Sequence, residues 1–176
     1  PSNPYDAKGL LCSSIDDGNP VMFFEHKALY RSVEEDIPNS MYNIELGKLS
    51  VIKEGKDLTL VTYGLGVNWA KKVANKSKYD IEILDLRTLV PLDVEGIFKS
   101  ISKTNRVLIL HEDNLTGGIG AEISAIINEN YFEYLDAPIF RSCSIDTPIP
   151  FASNIEDKVY LPTSTLEEKI NTLMEY

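Results

Sequence analysis

The sequence is poor in the side chains that build metal sites and disulfide frameworks. Its 176 residues include two cysteines, two histidines and one tryptophan. Cys12 and Cys143 lie far apart and form no Cys-x-x-Cys pair, so their spacing indicates neither a zinc ribbon nor a disulfide-stapled domain. A Gly-x-Ser-x-Gly elbow and a Walker loop are also missing. We therefore predict no catalytic, cofactor-binding or metal-binding residue in this chain, and expect a reducing, cytoplasmic location.

Basic charge and long apolar runs are scarce as well. Lysine and arginine number 17 against 27 aspartates and glutamates, a net charge of -10, which argues against nucleic-acid binding. Runs such as 107–110 and 21–24 are far shorter than the roughly 18 residues of a membrane-spanning helix. We expect neither nucleic acid nor membrane as a partner. The chain begins at Pro1 without a signal sequence or an initiator methionine, which is compatible with processing and with a piece of a longer polypeptide.

The first 44 residues have a pattern of their own. Apolar residues at i, i+3, i+4 and i+8 after Pro4 predict a helix that stops at Gly18. The β-forming run 20–25 predicts a short buried strand, and the acidic segment 32–43 predicts a connection. We place a domain boundary near residue 44.

From residue 45 onward, strands and helices alternate. Short apolar runs predict strands at 58–63, 81–86, 106–111 and 139–143, with helices between them. Ser164 and Glu167 form a capping-box pattern that predicts the start of the last helix. Nearly continuous apolar strands are typical of parallel sheets buried on both faces. The sequence therefore predicts an α/β fold with three layers, α/β/α, around a mostly parallel sheet.

In such sheets, ligands collect at the carboxyl ends of the strands. His111 and Glu112 end the third predicted strand, and Arg87 follows the second. His111 fits a general acid or base, but the more frequent arrangement is a His111–Glu112 pair that caps a loop. Arg87 fits ligand recognition, but the more frequent arrangement is a local salt bridge with Asp85.

Other residues near these strand ends have structural interpretations. Gly64-Leu65-Gly66 resembles the start of a dinucleotide-binding turn, but Trp69 stands where the third glycine belongs, so we favour a tight turn. Tyr63 and Trp69 are interpreted as packing residues.

Several strings resemble one family, the β subunit of thiamine-diphosphate-dependent 2-oxo acid dehydrogenases. Its pyrimidine-binding domain is matched by 5–11 (YDAKGLL), 19–21 (NPV), 24–27 (FEHK) and 29–31 (LYR). Its transketolase C-terminal domain is matched by 85–88 (DLRT), 91–93 (PLD), 111–112 (HE), 116–118 (TGG), 122–123 (EI), 136–138 (DAP) and 146–148 (DTP). The strings 42–44 (YNI) and 115–118 (LTGG) favour the branched-chain, 2-oxoisovalerate type over the pyruvate type.

The resemblance implies a division of the chain and a cofactor. Residues 1–44 would be the tail of the pyrimidine-binding domain plus a linker, and residues 45–176 the transketolase C-terminal domain. The family binds thiamine diphosphate with magnesium, but the residues that hold and activate it correspond to positions before Pro1. The chain alone is therefore expected to be inactive.

The resemblance also implies partners, which are an α-type subunit, a second β-type subunit and the peripheral subunit-binding domain of a dihydrolipoyl acyltransferase. In the family, an acidic residue and the terminal carboxylate contribute to docking that domain, and here they match Asp136 and Tyr176. Two alternatives stand beside this interpretation. One is a freestanding flavodoxin-like small-ligand-binding module, and the other is the equivalent domain of a transketolase or deoxyxylulose-phosphate synthase.

Overall fold

A computed structural model describes residues 1–156 and 161–176 as a five-stranded sheet between helices. The strands are β1 (Ser50–Lys53), β2 (Leu58–Thr62), β3 (Ile81–Asp85), β4 (Val107–Asn114) and β5 (Phe140–Ser144). The helices are α1 (Pro4–Asp16), α2 (Leu29–Ser32), α3 (Leu65–Ala74), α4 (Val94–Thr104), α5 (Ile119–Tyr131), α6 (Ser153–Ile155) and α7 (Leu166–Met174). Short 3-10 turns lie at Phe132–Tyr134 and Pro162–Ser164.

The sheet has the strand order β1-β3-β2-β4-β5. The four strands from β2 to β5 are parallel to one another, which confirms the mostly parallel sheet. β1 is an antiparallel edge strand on β3 that the sequence analysis missed. Its four residues are only partly buried, so they form no continuous apolar run.

Two hydrophobic clusters, one on each face of the sheet, confirm the three layers. On one face, side chains of β2, β3 and β4 pack against α3 and α7, with Leu60, Ala70 and Ile170 among the buried residues. On the other face, α4 and α5 cover the sheet. Burying one such aliphatic side chain is worth about 1.5 to 3 kcal/mol, so these clusters hold the layers together without a disulfide.

Residues 1–44 are held around α1, which begins as predicted. Asn3 caps the helix, because its side-chain oxygen accepts a hydrogen bond from the Asp6 amide at 2.8 Å. The chain returns to α1 at Ile44, whose amide donates to the Gly9 carbonyl at 3.2 Å. A Cβ atom at Gly9 would lie 2.6 Å from the Ile44 side chain, so only glycine permits this approach.

The predicted strand at 20–25 is wrong. This segment has no regular secondary structure and pairs with no strand of the sheet. Met22 and Phe24 are 80% and 77% exposed. A strand needs a neighbour to satisfy its backbone groups, and the described residues supply none here.

The predicted capping box is also wrong. α7 begins at Leu166 after Thr165, and no side chain caps it. The Ser164 hydroxyl instead donates to the Leu161 carbonyl at 2.9 Å, within the preceding 3-10 turn.

Among the described residues, no helix is both long and apolar enough to cross a bilayer.

Candidate functional site

The carboxyl ends of the parallel strands form the first candidate site, where α1 meets the sheet. Asp85, the last residue of β3, is fully buried and accepts a hydrogen bond from the Ser2 hydroxyl at 2.5 Å. Burial raises the pKa of Asp85 above its ordinary value, and the hydrogen bond from Ser2 opposes that rise. The first residues of the chain are thus attached to the end of a central strand.

Arg87 makes the second attachment. Its guanidinium donates to both carboxylate oxygens of Asp6, at 3.0 and 2.7 Å. The expected local salt bridge between Arg87 and Asp85 is wrong, because the Arg87 group that donates to the Asp85 carboxylate is the backbone amide, at 3.0 Å, and not the guanidinium. The backbone of Arg87 is left-handed, with φ 59°, and the side chain reaches α1. This bidentate pair uses the Nε and Nη2 side of the guanidinium and is charge-assisted.

Glu112 makes the third attachment. Its carboxylate lies 3.1 Å from Nε2 of His26, which belongs to the irregular segment between α1 and α2. The expected pair between His111 and Glu112 is therefore wrong. Successive residues of a strand point to opposite faces of the sheet, so these two side chains diverge.

His111 is buried beneath the start of α5. Its Nε2 accepts the Gly120 amide at 3.2 Å and lies 3.2 Å from the sulfur of Cys143. Burial lowers the pKa of His111, while nearby Asp113 raises it less. Burial also raises the pKa of the Cys143 thiol to about 11. Both groups are neutral near pH 7, so this is not the thiolate–imidazolium pair of a nucleophilic cysteine.

The glycine turn after β2 has a packing explanation. A Cβ atom at Gly66 would lie 2.1 Å from the Thr62 hydroxyl, so the close approach of α3 to its strand requires glycine. Trp69 is partly buried against the core beneath α3, which agrees with its interpretation as a packing residue. Tyr63 packs against the opposite core, and burial raises its pKa to about 12. The turn shows no feature specific to a nucleotide.

A cavity of about 750 Å³ lies between residues 1–26 and the carboxyl ends of the strands. Its walls include Phe23, Tyr63, Arg87 and Glu112. Within the described ranges 1–156 and 161–176, no three histidine, cysteine, aspartate or glutamate side chains are grouped so that they could hold a metal ion.

Asp136 lies at the opposite, amino-terminal edge of the sheet. Its amide donates to the Asn105 carbonyl at 2.9 Å, and its side chain is 59% exposed. One oxygen lies 3.5 Å from Nη1 of Arg106, the residue before β4. The carboxylate is thus accessible and has one cation beside it.

Tyr176 lies near the same edge. Its ring packs edge-on against Phe140, with the ring centres 6.1 Å apart. Phe140 opens β5 only four residues after Asp136, so the structure brings the two predicted partner-binding residues to the same end of β5. Both are well exposed, Tyr176 at 63%.

Sequence reasoning missed Ser2, Asp6 and His26, which hold residues 1–44 on the sheet. Asp6 is a charged residue one position before the apolar spacing of α1, and the structure shows it to be 1% exposed. A buried carboxylate needs a cation. The sequence pattern shows neither this burial nor the partner, Arg87, which is 81 residues away.

Comparison with known proteins agrees with this architecture. Residues 47–165 match the family described as transketolase, C-terminal domain. The 2-oxoisovalerate dehydrogenase subunit beta of Dictyostelium discoideum is 46% identical over 92% of this chain and 44% of its own length. The pyruvate dehydrogenase E1 component subunit beta of Staphylococcus aureus is 41% identical over 100% of this chain and 55% of its own. The chain thus spans about half the length of these relatives.

A solved structure of a split-gene transketolase, described as an inactive beta4 tetramer, shares the fold. Its TM-score is 0.62 and its identity 24%, over 75% of this chain and 45% of that one. The family match covers more than half of the chain and spans the five strands and the helices from α3 to α6. The chain belongs to the transketolase C-terminal domain family.

Proposed function

We propose that this chain is the C-terminal part of the β subunit in the decarboxylating component of a 2-oxo acid dehydrogenase complex. The observation that carries the proposal is the identity of 41% to 46% with two such subunits over 92% to 100% of the chain. The similarity therefore extends into residues 1–44, outside the part that matches the family at 47–165. A transketolase domain or a freestanding flavodoxin-like module does not account for this extension.

Residues 1–44 act in this proposal as the tail of a pyrimidine-binding domain plus a linker, and residues 45–176 as the C-terminal domain. The three attachments at the carboxyl edge support the division, because each joins a residue of the first part to one of the second. The junction fixes the position of the first part relative to the sheet.

Thiamine diphosphate and magnesium belong, in this proposal, to the larger enzyme. Its reaction is the oxidative decarboxylation of a 2-oxo acid with transfer of the acyl group to a lipoyl arm. Among the described residues, no three histidine, cysteine, aspartate or glutamate side chains are grouped so that they could hold a metal ion, and we propose no catalytic role for them. Their role is assembly with an α-type subunit and a second β-type subunit.

For the substrate we favour 2-oxoisovalerate over pyruvate. The higher identity with the 2-oxoisovalerate relative, 46% against 41%, supports this choice. The two free and buried cysteines fit a reducing compartment, and we propose the cytoplasm.

The amino edge of the sheet docks the peripheral subunit-binding domain of the acyltransferase. Asp136 supplies negative charge, and both Asp136 and Tyr176 are accessible beside β5. The net charge of -10 favours encounter with a basic partner. Carboxylates meeting lysine or arginine form charge-assisted hydrogen bonds.

Calorimetric titration of the chain with that subunit-binding domain tests the proposal. Asp136→Ala should weaken the affinity by about 1 to 3 kcal/mol, the range for hydrogen bonds to charged groups. Asp36→Ala, which removes the same charge from an exposed position in residues 1–44, is the matched control. Equal affinities for wild type and Asp136→Ala would refute the docking assignment.

Enzyme assays test whether the chain lacks a complete catalytic site, as the proposed domain assignment requires. With thiamine diphosphate, magnesium and an α-type subunit, this chain should decarboxylate neither 2-oxoisovalerate nor pyruvate. Turnover above the rate without the chain would show that it holds a complete site. That result would contradict the proposed domain assignment.

A further inference from the structure

The Asp136 carboxylate already has a cation beside it within its own chain. Nη1 of Arg106 lies 3.5 Å from an oxygen of Asp136, which is a charge contact too long for a good hydrogen bond. The Arg106 Nε is buried and, among the described residues, has no hydrogen-bond partner. The guanidinium therefore lies near the carboxylate without forming a good hydrogen bond to it.

The backbones around the two side chains are fixed. The Arg106 carbonyl accepts the Thr59 amide at 2.9 Å, which places it at the start of the sheet. Asn105 fixes the backbone at Asp136, since its side chain donates to the Tyr134 carbonyl at 2.6 Å and its carbonyl accepts the Asp136 amide. Any change in the Arg106–Asp136 contact must therefore come from the side chains.

We propose that Arg106 limits docking at Asp136 by competing with the basic side chain of the partner for the same carboxylate. The inference rests on the proposed docking function and adds a specificity-determining residue to it. A guanidinium stays charged throughout the physiological pH range, so the competition is constant. A partner must present a cation that displaces Arg106 or shares the carboxylate with it, which selects against weakly basic surfaces.

A purely structural ion pair would behave differently. In that case, neutralising Arg106 would lower the free energy of unfolding and leave the affinity for the partner unchanged or weaker. In the competitive arrangement, neutralisation raises the affinity, and the gain depends on Asp136. The two roles are separated by the sign of the effect on binding.

The test is a double-mutant cycle between Arg106 and Asp136, read by calorimetric titration with the peripheral subunit-binding domain. Arg106→Met keeps the aliphatic contacts and removes the charge, and Arg106→Gln is a second neutral variant. We expect both to tighten binding about 2- to 5-fold, as for the loss of an exposed ion-pair competitor. In the Asp136→Ala background, neither should alter the affinity.

Lys27→Gln is the matched control for net charge. Lys27 is exposed and follows His26 at the carboxyl edge, so its charge is largely screened from Asp136 by salt. Unchanged or weaker binding by both neutral variants, with wild type still bound and Asp136→Ala weakened, would overturn the role of Arg106 alone. Absence of binding by wild type and by both variants would overturn the proposed docking function and this inference together.

Discussion

Arg87 and Asp6 form a bidentate ion pair that joins positions 81 residues apart. The Asp6 side chain is 2% exposed and that of Arg87 is 18% exposed, so the pair is largely withdrawn from water. Paired charges are tolerated in such a place only when their hydrogen-bonding geometry is good. The contact therefore specifies where α1 lies on the sheet, in addition to any stability it provides.

Asp6→Ala should destabilise the protein by about 2 to 4 kcal/mol, because it leaves a partly buried guanidinium without its partner. Urea unfolding at pH 7 measures the change. Asp36→Ala removes an exposed carboxylate from the same part of the chain and should change the free energy of unfolding by less than about 0.5 kcal/mol.

A second substitution separates the ion pair from other effects of Asp6. Arg87→Asn suits the left-handed backbone at this position, because asparagine tolerates positive φ. If the pair carries the stability, the double variant Asp6→Ala/Arg87→Asn should be more stable than the sum of the single losses predicts. Strict additivity would contradict this account.

Local sequence patterns predicted most strands of the sheet. They failed where the presence of a neighbouring strand determines whether a segment joins the sheet. β2 and β3 were recognisable because strands buried on both faces need largely apolar residues. β1 is only partly buried and escaped detection, while 20–25 has strand-like residues but no strand beside it. Whether an extended segment becomes a strand depends on its pairing, which local composition does not contain.

In the candidate sites too, local sequence did not predict which residues contact each other. The strand-end rule correctly directed attention to Arg87, His111 and Glu112, but their partners could not be read from spacing. Arg87 contacts Asp6 and Glu112 contacts His26, both far away in the chain. These pairs follow from how residues 1–44 fold back over the sheet, which is a tertiary property.

Gly120→Ala should destabilise the protein by about 1 to 3 kcal/mol through overpacking. Its Cβ atom would lie 2.5 Å from Nε2 of His111, whose ring is 1% exposed and cannot move aside easily. Alanine is otherwise the better helix former by about 1 kcal/mol, so a net loss would show that the clash dominates. Thermal and urea unfolding measure the change.

Glu129→Ala lies on the exposed side of the same helix and serves as the control for Gly120→Ala. It should change the free energy of unfolding by less than about 0.5 kcal/mol. A Gly120→Ala protein as stable as wild type would mean that His111 is not confined as described.

Lys103→Met should destabilise the protein by about 1 to 3 kcal/mol, because it removes the cation beside a buried carboxylate. Glu82 is 1% exposed and accepts hydrogen bonds from Lys103, the Ser100 hydroxyl and the Gly55 amide. This predicted loss of stability is smaller than the loss expected from breaking a fully buried ion pair, because the Lys103 side chain is 42% exposed. Lys99→Met, at an exposed position of the same helix, should have little effect on urea unfolding.

The pH dependence of this contact has a definite sign. Hydrogen bonds to the carboxylates of Glu54 and Glu82 raise the pKa of Lys103. Its contribution to stability is therefore complete below pH 10.5 and is lost as pH rises through the folded-state pKa. Wild type should lose stability relative to Lys103→Met in that alkaline range. Parallel curves for the two proteins would contradict the assignment.

His111 should make the protein less stable in mild acid. Burial lowers its pKa from 6.5, so at pH values between the lowered pKa and 6.5 the unfolded chain binds more protons than the folded one. The free energy of unfolding then increases with pH through this window, and the contribution is complete above about pH 7.5. Asp85 has the opposite effect, because burial raises its pKa. Above pH 3.8, its contribution to the free energy of unfolding decreases as pH rises.

Comparison with His111→Gln isolates this histidine, since Asp85 and the other titrating groups remain in both proteins. The difference in the free energy of unfolding between wild type and the variant should decrease steadily as pH falls from about 7.5 to 5.5. His26→Gln, at a partly exposed position, is the control for loss of a histidine. Proton NMR of wild type checks the cause without relying on a variant, because burial lowers the His111 pKa and the ring should therefore be less than half protonated at pH 6.5. A His111 resonance that is half protonated at or above pH 6.5 would show that burial does not hold the imidazole neutral, and the predicted acid sensitivity would then need another origin.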